Sequence, residues 1–213
     1  MKQRLSSAVM FVLFLLATTV AQADYVSEGW DDGIVNGWLG ATGVVDLNVI
    51  PSGGYSGGYL MSTEPVFQYG IIGALNYRPE YSGDFLGHGY VRLQVAVKFL
   101  TGTFSELYFH VRYLDSSHNG WQFQLAADFE SRNWQQFTVN FNPRWSDVDA
   151  QAAGWSREYT STNFIETMAN VYSTGIKARG TGDMSMGIDE FSLKDQATAA
   201  TISTWSEVKA LYR

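Results

Sequence analysis

Between Ser27 and Trp38 the chain reads SEGWDDGIVNGW, which sets the adjacent carboxylates of Asp31 and Asp32 among three glycines and two tryptophans. Two chemistries fit that composition. Aspartates ahead of a glycine can satisfy the free amides of a turn, or they can supply hard oxygens to a cation or to sugar hydroxyls. A second set lies mid-chain, where residues 107–114 alternate: the odd positions are apolar, leaving Tyr108, His110 and Arg112 on the opposite face. Gln122 and Gln124 oppose Trp121 and Phe123 in the same way. Rings beside amide and guanidinium groups could stack on a sugar and hold its hydroxyls, although a solvated sheet face has the same composition. Trp121, Trp145 and Trp155 fall at a turn exit or in aperiodic sequence and are read as exposed platforms, whereas Trp38 and Trp134 are read as core.

Signatures of catalysis are sparse. Asp128 and Glu130 form the one closely spaced acidic pair on a predicted strand end, and two carboxylates across a cleft are what polysaccharide hydrolysis requires. His88, His110 and His118 lie in separate segments without the spacing of a zinc site. No nucleophile-elbow, phosphate-loop or dinucleotide pattern occurs in a strand-to-helix setting. The chain reads as one that binds rather than converts.

The elements that must position these residues are mostly strands. Val91, Leu93, Val95, Val97 and Phe99 share one parity, and Leu107, Phe109, Val111 and Tyr113 repeat it after Thr101-Gly102-Thr103, predicting a hairpin. Two further strands, around Trp121–Leu125 and Trp134–Phe141, extend it to a four-stranded meander. GVVDLNVI and GGYLMST flank a glycine-rich segment, and STGIKARG and MSMGIDEFSL predict two late strands. One helix is expected, with Asn163 as N-cap, Glu166 completing a capping box, Phe164, Met168, Val171 and Tyr172 along one face, and Gly175 as its stop. Residues 143–159 show no period and are read as an excursion with one helical turn.

Lys2 and Arg4 ahead of an apolar run, then Ala21-Gln22-Ala23, identify residues 1–23 as a signal peptide. Residues 24–194 are expected to form one domain, with 195–213 as a polar linker and a short tail. Later stretches fall short of the ~20 apolar residues that span a bilayer. The expected location is therefore exported: periplasm, cell surface or medium. Absence of cysteine excludes disulfides and thiolate ligands. A net charge of −7 with scattered lysines and arginines argues against nucleic acid. The expected protein is a monomer.

Trp30-Asp31-Asp32-Gly33 with Gly37-Trp38, then Gly53-Gly54-Tyr55-Ser56-Gly57-Gly58-Tyr59-Leu60, then Ile188-Asp189-Glu190-Phe191-Ser192-Leu193 together resemble bacterial secreted jelly-roll modules of galactose-binding-like or laminin-B-like type, which include non-catalytic carbohydrate-binding modules. The resemblance runs from about Tyr25 to Leu193. It departs in having Trp30 where phenylalanine is usual, and in the helix and tryptophan-rich excursion. It implies an all-β fold, a two-sheet antiparallel jelly-roll sandwich with one accessory helix, both chain ends supplying neighbouring strands. It also implies a structural Ca²⁺ held by Asp31 and Asp189 with carbonyls around Ser52 to Gly54, and a glycan partner. The alternative is a structural or adhesive surface protein without a sugar ligand.

Overall fold

A computed structural model of the chain describes residues 25–66, 68–113, 119–129, 132–159 and 162–195, with backbone only at 128 and 129. The expected signal peptide, residues 1–23, and the expected tail beyond Asp195 lie outside the described residues. The strands are β1 (Tyr25–Glu28), β2 (Trp38–Gly40), β3 (Asp46–Ile50), β4 (Tyr59–Glu64), β5 (Ile71–Asn76), β6 (Tyr90–Tyr113), β7 (Gly120–Phe129), β8 (Gln135–Asn140), β9 (Trp155–Glu158) and β10 (Val171–Asp195). Three short helices join them: α1 (Phe85–His88), α2 (Asp147–Ala152) and α3 (Phe164–Ala169).

Two long strands organise everything else. β6 and β10 pair antiparallel from Tyr90 opposite Asp195 to Tyr113 opposite Val171, with register shifts between Arg179 and Met186. Extra residues in one strand of a ladder bend it and increase its twist, so the pair belongs to both sheets of the sandwich. Its first part is flanked by β8 on the β6 side and by β4 and then β1 on the β10 side, with β3 beyond β4. Its second part carries β7 and β9 on one side and β5 and β2 on the other. The all-β jelly-roll sandwich is therefore the fold, and the ends of the domain meet: Tyr25 lies opposite Lys194 and Glu28 opposite Phe191.

Leu93, Val95, Val97 and Phe99 of β6 face Phe104, Leu107, Phe109 and Val111 of its second half within one apolar core. At the end nearest the opening turn, Trp38 packs against Trp30, Tyr81 and Phe191, with ring centroids 4.8–5.7 Å apart. The buried Glu28 carboxylate is satisfied there by the Tyr81 hydroxyl and the Asn36 amide, both at 2.9 Å, with Arg78 at 3.6 Å.

Several expectations change. The predicted hairpin at Thr101-Gly102-Thr103 is a bend within the continuous β6, whose halves pair with other strands rather than with each other. The meander fails with it, because β8 pairs with the first half of β6 instead of with β7. The two late strands are one, β10. Asn163 caps α3 by accepting the Glu166 amide at 2.8 Å, but the helix ends at Ala169, since Val171 and Tyr172 are already in β10. Residues 143–159 hold α2, with a capping box between Ser146 and Asp149, and then the unforeseen edge strand β9. Among the described residues the accessory helix is thus one of three α-helices.

Trp38→Ala should lower the unfolding free energy by roughly 3–5 kcal/mol, the cost of emptying a large aromatic site. Chemical denaturation measures it, and a loss under 1 kcal/mol would show that the cluster at this end is not part of the cooperative core.

Candidate functional site

The outer face of the sheet β9-β7-β6-β10-β5-β2 bears a cavity of about 280 Å³ lined by Ala41, Thr42, Gly43, Tyr69, Ile71, Arg112, Glu158, Tyr159, Lys177 and Arg179. Glu158 and Tyr159 come from one edge of that sheet and Ala41 to Gly43 from the other. One cavity shared by both edges means the sheet is curled into a trough. Strand alternation supplies the floor: Tyr108 stands opposite Lys177 and Gln124, His110 opposite Gly175 and Gln122, and Arg112 opposite Ser173 and Gly120. Gly175 is required at its place, because a Cβ there would lie 2.0 Å from the Ala74 carbonyl oxygen. At the rim, Tyr69 and Tyr159 are 56% and 68% exposed. Tyr159 holds a φ of 59°, an unfavourable conformation for a bulky residue and one found preferentially at functional sites.

The trough floor is charged and nearly dry. Lys177, 3% exposed, donates to Glu158 Oε1, and His110 Nδ1 lies 3.6 Å from Glu158 Oε2. Burial works against the Glu158 carboxylate, but the His110 and Lys177 contacts outweigh it and hold its carboxyl well below the usual range. Burial likewise pulls Lys177 down, partly offset by Glu158. His110 is fully buried, and desolvation, reinforced by the charges of Lys177 and Arg112 against the opposing pull of Glu158, lowers its pKa to about 4. It is therefore neutral at pH 7. Tyr108 lies under the Lys177 ammonium, 5.8 Å from nitrogen to ring centroid. Among the described residues, both His110 ring nitrogens, Arg112 Nε, Gln122 Oε1, Ser173 Oγ and Thr42 Oγ1 are buried without a hydrogen-bond partner. Native proteins leave few such atoms, and each asks for an occupant.

Tyr108, His110, Arg112, Gln122 and Gln124 thus share the face their parity predicts, with Arg112 in the cavity wall, His110 beneath it and Gln124 exposed on the neighbouring strand. The tryptophans go elsewhere. Trp121 and Trp155 are 0% and 2% exposed on the core side, packed at 5.2 Å against Phe164 of α3. Trp145 is half-buried against the same ring. Neither Trp121 nor Trp155 can serve as an open platform, because α3 and the excursion cover that side of the sheet, and Trp145 is open only in part. Trp134, read as core, is only partly buried; its ring meets Tyr59 at 5.4 Å and its indole N–H donates to the Gly53 carbonyl. Sequence reasoning missed Lys177, Arg179, Glu158, Tyr159 and Tyr69 as a group. The alternation of Lys177 with Ile176 and Ala178 was the available signal for the first.

The opening acidic turn meets the last described strand, β10, at the glycine-rich loop between β3 and β4. Asp31 Oδ1 accepts the Gly58 amide at 2.8 Å, and Asp189 Oδ2 accepts those of Tyr55 and Ser56 at 2.7 and 3.1 Å. Asp189 Oδ1 accepts the amide of Glu190. Asp32 serves its own turn through Ile34 N–H. At Gly57 a Cβ would fall 2.1 Å from Asp31 Oδ1, so only glycine lets the loop approach so closely. Carbonyl oxygens of Gly57 and Gly58 gather with Asp189 Oδ2 around Gly54. Among the described residues no three His, Asp or Glu side chains cluster to hold a metal. The acidic pair Asp128 and Glu130 lies outside the described side chains, as does His118.

No protein-family model matches the chain, and no curated protein matches it. Solved structures do. A family 11 carbohydrate-binding module from Clostridium thermocellum, in complex with a β-1,3-1,4-mixed-linked tetrasaccharide, superposes with a TM-score of 0.53 at 13% identity, covering 80% of this chain and 95% of its own. The family 11 module of the cellulosomal cellulase Lic26A-Cel5E from the same organism gives 0.52 at 12% identity, covering 79% and 93%. An exo-β-agarase gives 0.55 at 11% identity over 79% of this chain and 24% of the enzyme. The fold is that of jelly-roll carbohydrate-binding modules, as the resemblance in the three sequence motifs implies.

Because His110 takes up a proton near pH 4 when folded and near 6.5 when unfolded, its contribution to stability is complete above pH 6.5 and is lost as the pH falls toward 4. Between pH 7 and pH 5 the loss should be about 2 kcal/mol. His110→Gln should flatten that part of the profile in denaturant titrations; an equally steep profile in the variant would assign the proton uptake elsewhere.

Proposed function

We propose that the chain is an exported, non-catalytic carbohydrate-binding module whose trough accepts a polysaccharide. The observation that carries this reading is the trough itself: two exposed tyrosines flank a cavity whose floor presents buried donors and acceptors without partners. A pyranose offers what such a site lacks, an apolar ring face for an aromatic side chain and a belt of hydroxyls for orphaned polar atoms. Its volume is at the small end for ligand pockets, suiting one or two sugar units of a longer chain. The mixed-linked tetrasaccharide bound by the family 11 module supports sugar as the ligand class. For a role without catalysis, the support is that Glu158 is the one carboxylate among the lining residues, and Lys177 already holds it. Residues 1–23 support export, and among the described residues no helix is long and apolar enough to cross a membrane.

A structural calcium belongs to the same proposal. Asp189 with the carbonyl oxygens of Gly57 and Gly58, and Asp31 across the loop, make the hard oxygen set that Ca²⁺ takes. Burial outweighs the three amides at Asp189 and raises its carboxyl above the ordinary aspartate value, a cost that a neighbouring cation would relieve. When bound, the ion would fasten the glycine-rich loop to the first turn and to β10 and would take no part at the trough.

Tyr69→Ala and Tyr159→Ala should each weaken retention in glycan-containing affinity gels by about tenfold while leaving the melting temperature unchanged, since both rings are exposed. Silence of the folded wild type across neutral and charged glycans would favour the structural or adhesive reading instead. Dialysis against EDTA should lower the melting temperature, and Ca²⁺ should restore it. An unchanged transition would remove the ion.

A further inference from the structure

Among the unsatisfied groups of the trough, Arg112 is the one that carries a charge with no counter-ion. It is 8% exposed and lines the cavity; Nε is buried without an acceptor, and no carboxylate pairs with the guanidinium among the described residues. The other charges of the wall are spoken for: Lys177 by Glu158, and the exposed Arg179 by Glu106 at 3.6 Å. His110 and Tyr108, the remaining titratable groups on the floor, are uncharged at pH 7. The cavity therefore carries one buried positive charge in excess, within a protein of net charge −7.

A buried, unpaired charge is costly, and removing the last water above it makes it more so. A neutral sugar would do that, because hydroxyl oxygens accept hydrogen bonds without neutralising the guanidinium. A carboxylate or sulfate would do both, and Arg presents the planar fork that such oxyanions take up in two parallel bonds. We propose that the sugar unit seated over Arg112 carries an anionic substituent, so that the trough selects an acidic polysaccharide. This rests on the carbohydrate-binding reading above and narrows it. The overall negative charge of the protein repels polyanions at a distance, so selection for one must come from the site.

The test is isothermal titration of the full chain with three soluble polymers: a mixed-linked β-glucan as the neutral probe, polygalacturonate for carboxylate and dextran sulfate for sulfate. At least about tenfold tighter binding of one charged polymer than of the glucan is expected, and its identity distinguishes carboxylate from sulfate. That binding should weaken as NaCl rises. Arg112→Met should abolish the preference while holding or raising the melting temperature, because it deletes an uncompensated buried charge. Arg92→Gln, on the other sheet, should change nothing. Equal or tighter binding of the glucan overturns the anionic preference and leaves sugar binding standing; no binding of any polymer by folded protein overturns both. Should Arg112→Met fail to fold, Arg112→Lys decides: retained preference with weakened affinity supports the assignment, and unchanged affinity overturns it.

Discussion

The antiparallel pairing of β6 with β10 is the constraint on which the molecule depends. Both strands run through both sheets, so their ladder fixes at once how the sheets are joined, which residues enter the core and which face the trough. Opposite Leu107, Phe109 and Val111 in that ladder stand Ala178, Ile176 and Thr174, all buried on the core side. Between them, Tyr108 meets Lys177, His110 meets Gly175 and Arg112 meets Ser173. A slip of one residue would exchange the two sets, driving the charges into the core and the apolar side chains into the trough. The size of the core penalty is what holds the site's register.

Within that register, the electrostatics of the trough follow from a shortage of negative charge. Three cationic side chains converge on a space that holds one carboxylate, and Lys177 takes it. Neutral His110 fits under this pair because burial keeps a proton away from it, whereas a charged ring would add a second uncompensated cation. Such a floor is costly to the folded protein, as pre-organised recognition sites commonly are. Its cost is borne by the aromatic clusters on the opposite side, where Trp155 touches Phe109, Phe123, Phe141 and Phe164.

A second junction is made at the glycine-rich loop. Asp31 comes from the first turn and Asp189 from the last strand, and both reach amides of residues 55–58. Trp134, just before β8, fastens the same loop through the Gly53 carbonyl. Three distant parts of the sequence thus meet at one loop, the kind of closure a chain without disulfides needs where its first and last described strands come together.

The sequence alone determined the strand character, the parity that places Tyr108, His110 and Arg112 on one face, the cap at Asn163 and the neighbouring chain ends. These are local or motif-borne properties: alternation sorts side chains by face within a strand, and capping needs only four residues. Partnering is a tertiary matter. Periodicity is identical on the two sides of Gly102 whether the chain reverses there or bends onward, so a hairpin and the continuous β6 read alike. Nor can alternation say which sheet face is covered, since that depends on where α3 and residues 143–159 pack; Trp121 and Trp155 were consequently assigned to the open side. Only the fold brings Tyr69, Glu158 with Tyr159, and Lys177 from three segments to one trough, because curling a sheet into a concave surface is a property of several strands together.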